Sequence, residues 1–185
     1  MTYYGAHELV YNFRTVRNNT IKIANEIPED KYSFSPAAGC RTVAQTLTHI
    51  AVITRVPTQI QFTLRVSNLA TVDFMSIYGP LMAEEQATRT KDQILQLLRE
   101  EGDKFATLLS GVTEDFLAEK VSMPPGLEPA EKSRFEMLLS AKEHEMHHRG
   151  QLMVVERMLG VTPHLTRQMQ ERIAAMQAQA QAAGR

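Results

Sequence analysis

The chain has 185 residues, 43% of them apolar and 22% charged, with a formal net charge of −1; this is enough to bury a substantial core, and it excludes a disordered, collagen-like or small disulfide-stapled protein. Twenty Lys and Arg against 21 Asp and Glu leave no electrostatic excess for a phosphate backbone or an anionic membrane, so neither nucleic acid nor membrane is expected as a partner. The single cysteine, Cys40, cannot form an intramolecular disulfide, no secretory signal opens the sequence, and a reducing cytoplasm is the expected compartment.

Helical periodicity dominates and almost nothing alternates with period two, which predicts an all-α fold. A first helix is expected from about His7 to Glu26, where Leu9, Val10, Phe13, Val16, Thr20, Ile23 and Ile27 recur at three- and four-residue steps before Pro28 stops it. The segment EDKYSFSPAAGC reads as a loop. Thr42 and Gln45 then have capping-box spacing and open a second helix. Its apolar face is Val43, Leu47, Ile50, Ile53 and Ile60, with a kink or a break into two helices expected near Thr54 because Pro57 removes a backbone donor. Ser67 to Gly79 reads as a loop or a short helical turn.

Thr90 and Gln93 repeat the capping-box spacing, and Ile94, Leu97, Leu98, Phe105 and Leu108 extend a third long helix towards Gly111. Thr113 can cap a short helical piece, and VSMPPGLEP, Val121 to Pro129, is a connector. A fourth long helix is expected from about Ala130 to Leu159, ended by Gly160. Thr162-Pro163 starts one more, with Leu165, Met169, Ile173, Met176 and Ala180 as its stripe. With no internal repeat, the whole chain reads as one domain, a four-helix bundle with an additional C-terminal helix.

The chemistry concentrates in AKEHEMHHRGQL of the fourth helix. His144 and His148 are one helical turn apart, so both rings lie on one face and can converge on a single cation. Met137, Ala141 and Val155 near that face point it inwards, where two unpaired imidazoles would be costly. Gln151 shares the face. His49, in the apolar run QTLTHIAVI, is the candidate third ligand, and three protein ligands with open positions make a reactive metal site. His7, His147 and His164 read as ordinary histidines by position, with His147 available to support a ligand from behind.

His144-Glu145-Met146-His147-His148 also satisfies H-E-x-x-H, in which the glutamate is a general base. The extended metzincin pattern fails at Gln151 and Val154, and no strand is present to hold a peptide substrate, so a protease is not expected.

His49, followed about a hundred residues later by His144-x-x-x-His148-Arg149-Gly150-Gln151, together with the upstream FSPAAGCRTVAQTLTHI, resembles the DinB/YfiT-like superfamily of metal-dependent bundle proteins. The resemblance runs from the first helix to Gly160. It implies a four-helix bundle with a three-histidine site at His49, His144 and His148, a divalent metal such as zinc or nickel, with iron or manganese as alternatives, and a homodimer. Relatives that use low-molecular-weight thiols imply a thiol transferase of the bacillithiol or mycothiol type acting on a small-molecule substrate. Metal-assisted hydrolysis is the neighbouring expectation, with Glu145 or Gln151 as acid-base or orienting groups.

The contrasting expectation is a metal-stabilised bundle without catalysis, serving stress response or small-ligand binding; solvent access to the metal separates the two. Gly150 is expected to let a neighbouring helix approach closely, Arg149 to pair with a carboxylate at the surface, on another helix or on a partner chain, and Cys40 to be an ordinary loop thiol.

Overall fold

A computed structural model describes residues 4–183. Helix α1 (Ala6–Glu26) stops at Ile27, ahead of Pro28. In α2 (Val43–Val52) the expected capping box is present: Gln45 N–H donates to the Thr42 hydroxyl at 3.2 Å, and Thr42 N–H donates to the Gln45 side chain at 2.9 Å. The helix breaks at Ile53 and Thr54, giving the single turn α3 (Arg55–Pro57) and a π-helical turn over Thr58–Thr63.

The stretch expected to be a loop or short turn instead leads into a full helix, α4 (Phe74–Gln86). Asp73 caps it, its carboxylate accepting from the N–H groups of Met75 and Ser76 at 3.1 and 3.2 Å. Gly79 and Pro80 within the helix obscure its pattern in the sequence. Helix α5 (Lys91–Ser110) starts at the Thr90–Gln93 capping box and α6 (Glu114–Ala118) at Thr113.

The proline-rich connector is not wholly irregular. Strands β1 (Lys120–Ser122) and β2 (Glu131–Ser133) pair antiparallel, Val121 opposite Lys132, and close it into a small ribbon. This holds the next helix back to Arg134, four residues later than expected: Ser133 and Glu136 form its capping box, and α7 (Arg134–Met158) runs to the turn at Gly160, whose φ of 79° suits glycine. Helix α8 (His164–Ala183) follows Pro163.

Helices α1, α2, α5 and α7 form the bundle: α5 packs against α1 and α2, α7 against α1 and α2, and α4 lies over α2. At one end of the core Phe13 and Phe105 meet edge to face at 5.1 Å, each contributing about 1.5–3 kcal/mol over an exposed ring. The larger part of the core gathers Ile23, Leu47, Ile50, Ile94, Leu98 and Leu152. Among the described residues no helix is long and apolar enough to cross a membrane.

Candidate metal centre

Helix α7 turns His144 and His148 inwards one above the other, and the last turn of α2 brings His49 against them. The three Nε2 atoms converge: His144 lies 3.4 Å from His49 and 3.3 Å from His148. This is the single group of three or more His, Cys, Asp or Glu among the described residues whose ligand atoms come close enough to hold a metal ion. Two zinc-bound nitrogens in a tetrahedral shell stand about 3.3 Å apart, from bond lengths of about 2.0–2.1 Å, so the spacing fits the donor set of a divalent ion.

The far sides of the rings fix their tautomers. His49 Nδ1 donates to Glu85 Oε1 at 2.5 Å, since a carboxylate only accepts, and His148 Nδ1 donates to Gln151 Oε1 at 2.8 Å. Both therefore present Nε2 lone pairs to the cluster. His144 Nε2 can donate a proton to at most one of its two neighbours, whereas a cation satisfies all three nitrogens at once. His144 Nδ1 is buried without a hydrogen-bond partner among the described residues.

Burial pushes the pKa of all three imidazoles down, that of His144 to about 4, with its two histidine neighbours adding to the effect; at His49 Glu85 opposes it. Neutral imidazole is the ligand form. Burial alone would raise the Glu85 carboxyl, but hydrogen bonds from Arg41, at 2.8 Å to Oε2, and from His49 hold it below the usual carboxylate range.

Glu145 is placed elsewhere. One residue on from His144, it points about a hundred degrees around the helix into the core, where it is 1% exposed and meets Arg17 of α1. Arg17 Nε lies 3.0 Å from both carboxylate oxygens and a terminal nitrogen 3.0 Å from Oε2. The remaining guanidinium donors reach the Leu98 carbonyl at 2.7 Å and the Ile50 carbonyl at 3.1 Å. A carboxylate so enclosed has no route to a substrate, and the acid-base role expected for it gives way to a structural one.

Gln151 stands behind His148, on the side away from the converging nitrogens: its carbonyl takes the His148 proton and its amide nitrogen lies 3.1 Å from His147 Nε2. His7 is exposed beside Glu8, and His164, the first residue of α8, is buried against Asn19 at 3.2 Å. Arg149 forms no ion pair with a described residue. A Cβ at Gly150 would meet nothing within 4 Å, so Gly150 serves no close approach; Gly102 does, since a Cβ there would stand 3.0 Å from Arg17 Cγ.

Two partly open cavities reach the cluster. One of about 420 Å³ has His49 and His144 in its wall, with Ile53, Ile60 and Met137. The other, of about 500 Å³, is lined by His148, Gln151, Arg41 and the exposed Cys40. Sequence reasoning missed Glu85 and Arg41 altogether; the Asp73 cap was the available signal for the helix that supplies Glu85.

Residues 1–180 match the family model described as the DinB family. The Bacillus subtilis protein YjoA is 27% identical over 157 residues, which is 85% of this chain and 92% of that one. The crystal structure of YjoA, a DinB-like protein, superposes with a TM-score of 0.61 at 24% identity over 84% of this chain and 94% of that one. YfiT from Bacillus subtilis, described as a probable metal-dependent hydrolase with an unusual four-helix bundle topology, gives 0.66 at 16% identity over 88% and 91%. A mycothiol-dependent maleylpyruvate isomerase gives 0.62 at 12% identity over 80% and 61%.

Proposed function

The chain belongs to the DinB family, and from that premise we propose that it is a metal-dependent enzyme acting on a small molecule, with His49, His144 and His148 as the ligands of one divalent ion. The observation behind this reading is the convergence of three Nε2 atoms at 3.3–3.4 Å contacts in a place that two cavities reach. A purely structural metal would be closed off by protein. Zinc, nickel and iron all suit an all-imidazole donor set, and manganese is less well matched.

A divalent ion held there lowers the pKa of a water or a low-molecular-weight thiol, supplying a nucleophile at neutral pH for hydrolysis or thiol transfer. The chain's own residues do the rest. Glu85 and Gln151 hold His49 and His148 in the tautomer and orientation that present Nε2. With its carbonyl on His148 and its amide nitrogen against His147, Gln151 braces the ligand from behind and does not face the reacting group. Ile53, Ile60 and Met137 give one side of the site an apolar surface against which the body of a small molecule can pack. YfiT's description favours hydrolysis and the isomerase's favours thiol chemistry; each is said of those proteins, and both reactions suit this site.

We further infer a homodimer formed through α8, because that helix is buried only at His164 while Met169, Ile173 and Met176 are exposed along it.

Elemental analysis of untagged protein tests the site. Near-stoichiometric divalent metal is expected in the wild type and in His7→Ala, with a sharp loss in His148→Ala and in His144→Ala/His148→Ala. Equal metal in all four, or none after incubation with zinc or nickel, overturns the reading. Loaded protein then separates the reactions by ester or amide hydrolysis against conjugation of thiols to an electrophile.

A further inference from the structure

Arg41 sits one residue before the cap of α2 and is held from one side only. Its Nε donates to Glu85 at 2.8 Å, while its two terminal nitrogens make no hydrogen bond or ion pair with any described residue and the side chain stays 43% exposed. The unused edge of a guanidinium is a planar two-donor fork, the shape that receives a carboxylate with two parallel N–H···O bonds.

Arg41 lines the cavity of about 500 Å³ that also touches His148 and Gln151, a size in the range of small-molecule sites. Arg41 is the sole Lys or Arg lining it, and no acidic residue is among the lining. Val43, Leu152 and Val155 give the rest of the wall an apolar character. The second cavity differs: Lys132 and Glu136 both line it, so its polar groups favour no one sign of charge.

We propose that the Arg41 cavity binds a small molecule with an apolar body and a carboxylate, the carboxylate seated on the two terminal nitrogens of Arg41 beside the histidine cluster. A single charge matches: one guanidinium edge, with Glu85 already neutralising part of Arg41 and no second Lys or Arg in the lining, suits a monoanion better than a phosphate dianion. Glu85 has two functions in this arrangement, since it aims the Arg41 fork and holds His49 in its ligand tautomer. The inference deepens the enzyme reading above by naming the chemistry of the molecule brought to the histidines.

Calorimetric titration of zinc-incubated protein with 4-phenylbutyrate and with its neutral amide tests it. The acid is expected to bind and the amide to bind about tenfold more weakly, as for loss of a charge-assisted bidentate pair. Arg41→Gln is expected to weaken the acid about as much while the zinc content stays that of the wild type. Equal binding of acid and amide, or acid binding unchanged in Arg41→Gln, overturns the proposal. Should Arg41→Gln lose zinc, Arg41→Lys decides, because it keeps a cation for Glu85 and lacks the fork: weakened acid binding supports the proposal and unchanged binding overturns it. Should the wild type take up no zinc, the metal reading fails alone if the acid still binds in an Arg41-dependent way, and both fail if it does not.

Discussion

Helix α7 buries two glutamates on one stripe, Glu145 and Glu156, eleven residues and so about three turns apart. They are 1% and 0% exposed, yet their surroundings are opposite. Glu145 is clasped by Arg17, whose other donors are spent on the Leu98 and Ile50 carbonyls. Neither oxygen of Glu156 has a hydrogen-bond partner among the described residues, and the nearby Glu26 of α1 also leaves one oxygen unpartnered. Arg167 of α8 reaches Glu26 at 2.5 Å, not Glu156.

Burial, and then the negative charge of Glu26, raise the Glu156 carboxyl to about 7, against the weaker pull of Arg167 and Arg157. Where the bundle supplies a cation in contact, a buried acid is an anchor; where the cation stops one residue short, the acid keeps its proton instead. The same helix face thus holds a fixed joint near the histidines and a proton-sensitive seam under α8.

The largest expected effect is at the joint. Arg17→Met should destabilise the fold by about 3–5 kcal/mol, because it strands a buried charge, and Arg17→Met/Glu145→Leu should recover much of that loss; denaturant unfolding of both variants checks it, and a single mutant as stable as the wild type would erase the contrast. At the seam the sign reverses. The folded pKa of Glu156 lies above its ordinary 4.5, so its burial costs nothing below about pH 4.5, costs progressively more as pH rises to about 7, and is constant above that. At about 1.4 kcal/mol per unit, Glu156→Gln should therefore stabilise by about 3 kcal/mol at pH 8 and not at all at pH 4. A gain independent of pH would show that the carboxyl is not the source.

The smallest effect on bundle stability is expected from truncation after Val161, which removes His164 and Arg167 and opens Glu156 to water. The four helices should stay folded and the stability difference between pH 4 and pH 8 should shrink. Native mass should fall from dimer to monomer if α8 is the contact between copies; an unchanged mass with the fold intact removes α8 from that role.

Much of this was legible in the chain itself. The Thr42–Gln45 and Thr90–Gln93 boxes mark helix starts because capping depends on groups three residues apart, and Pro28, Pro57 and Gly160 mark ends for equally local reasons. The inward pair His144 and His148 follows from helical spacing alone. What the sequence concealed is tertiary. Glu85 became visible only with α4, whose periodicity Gly79 and Pro80 interrupt, and the Arg17–Glu145 bond joins residues 128 apart. H-E-x-x-H misled at Glu145 because a motif records spacing and not which neighbour lies on the other side of the helix.

Arg17 has one more consequence. The carbonyl it holds on α2 is that of Ile50, next to His49, and the carboxylate it holds on α7 is that of Glu145, next to His144. A slide of either helix by one residue, about 1.5 Å, would break one of these bonds and separate the imidazoles together. The folded chain itself thus brings the three nitrogens together, so that capture of the proposed ion would require little rearrangement and its free energy would not be spent on assembling the site.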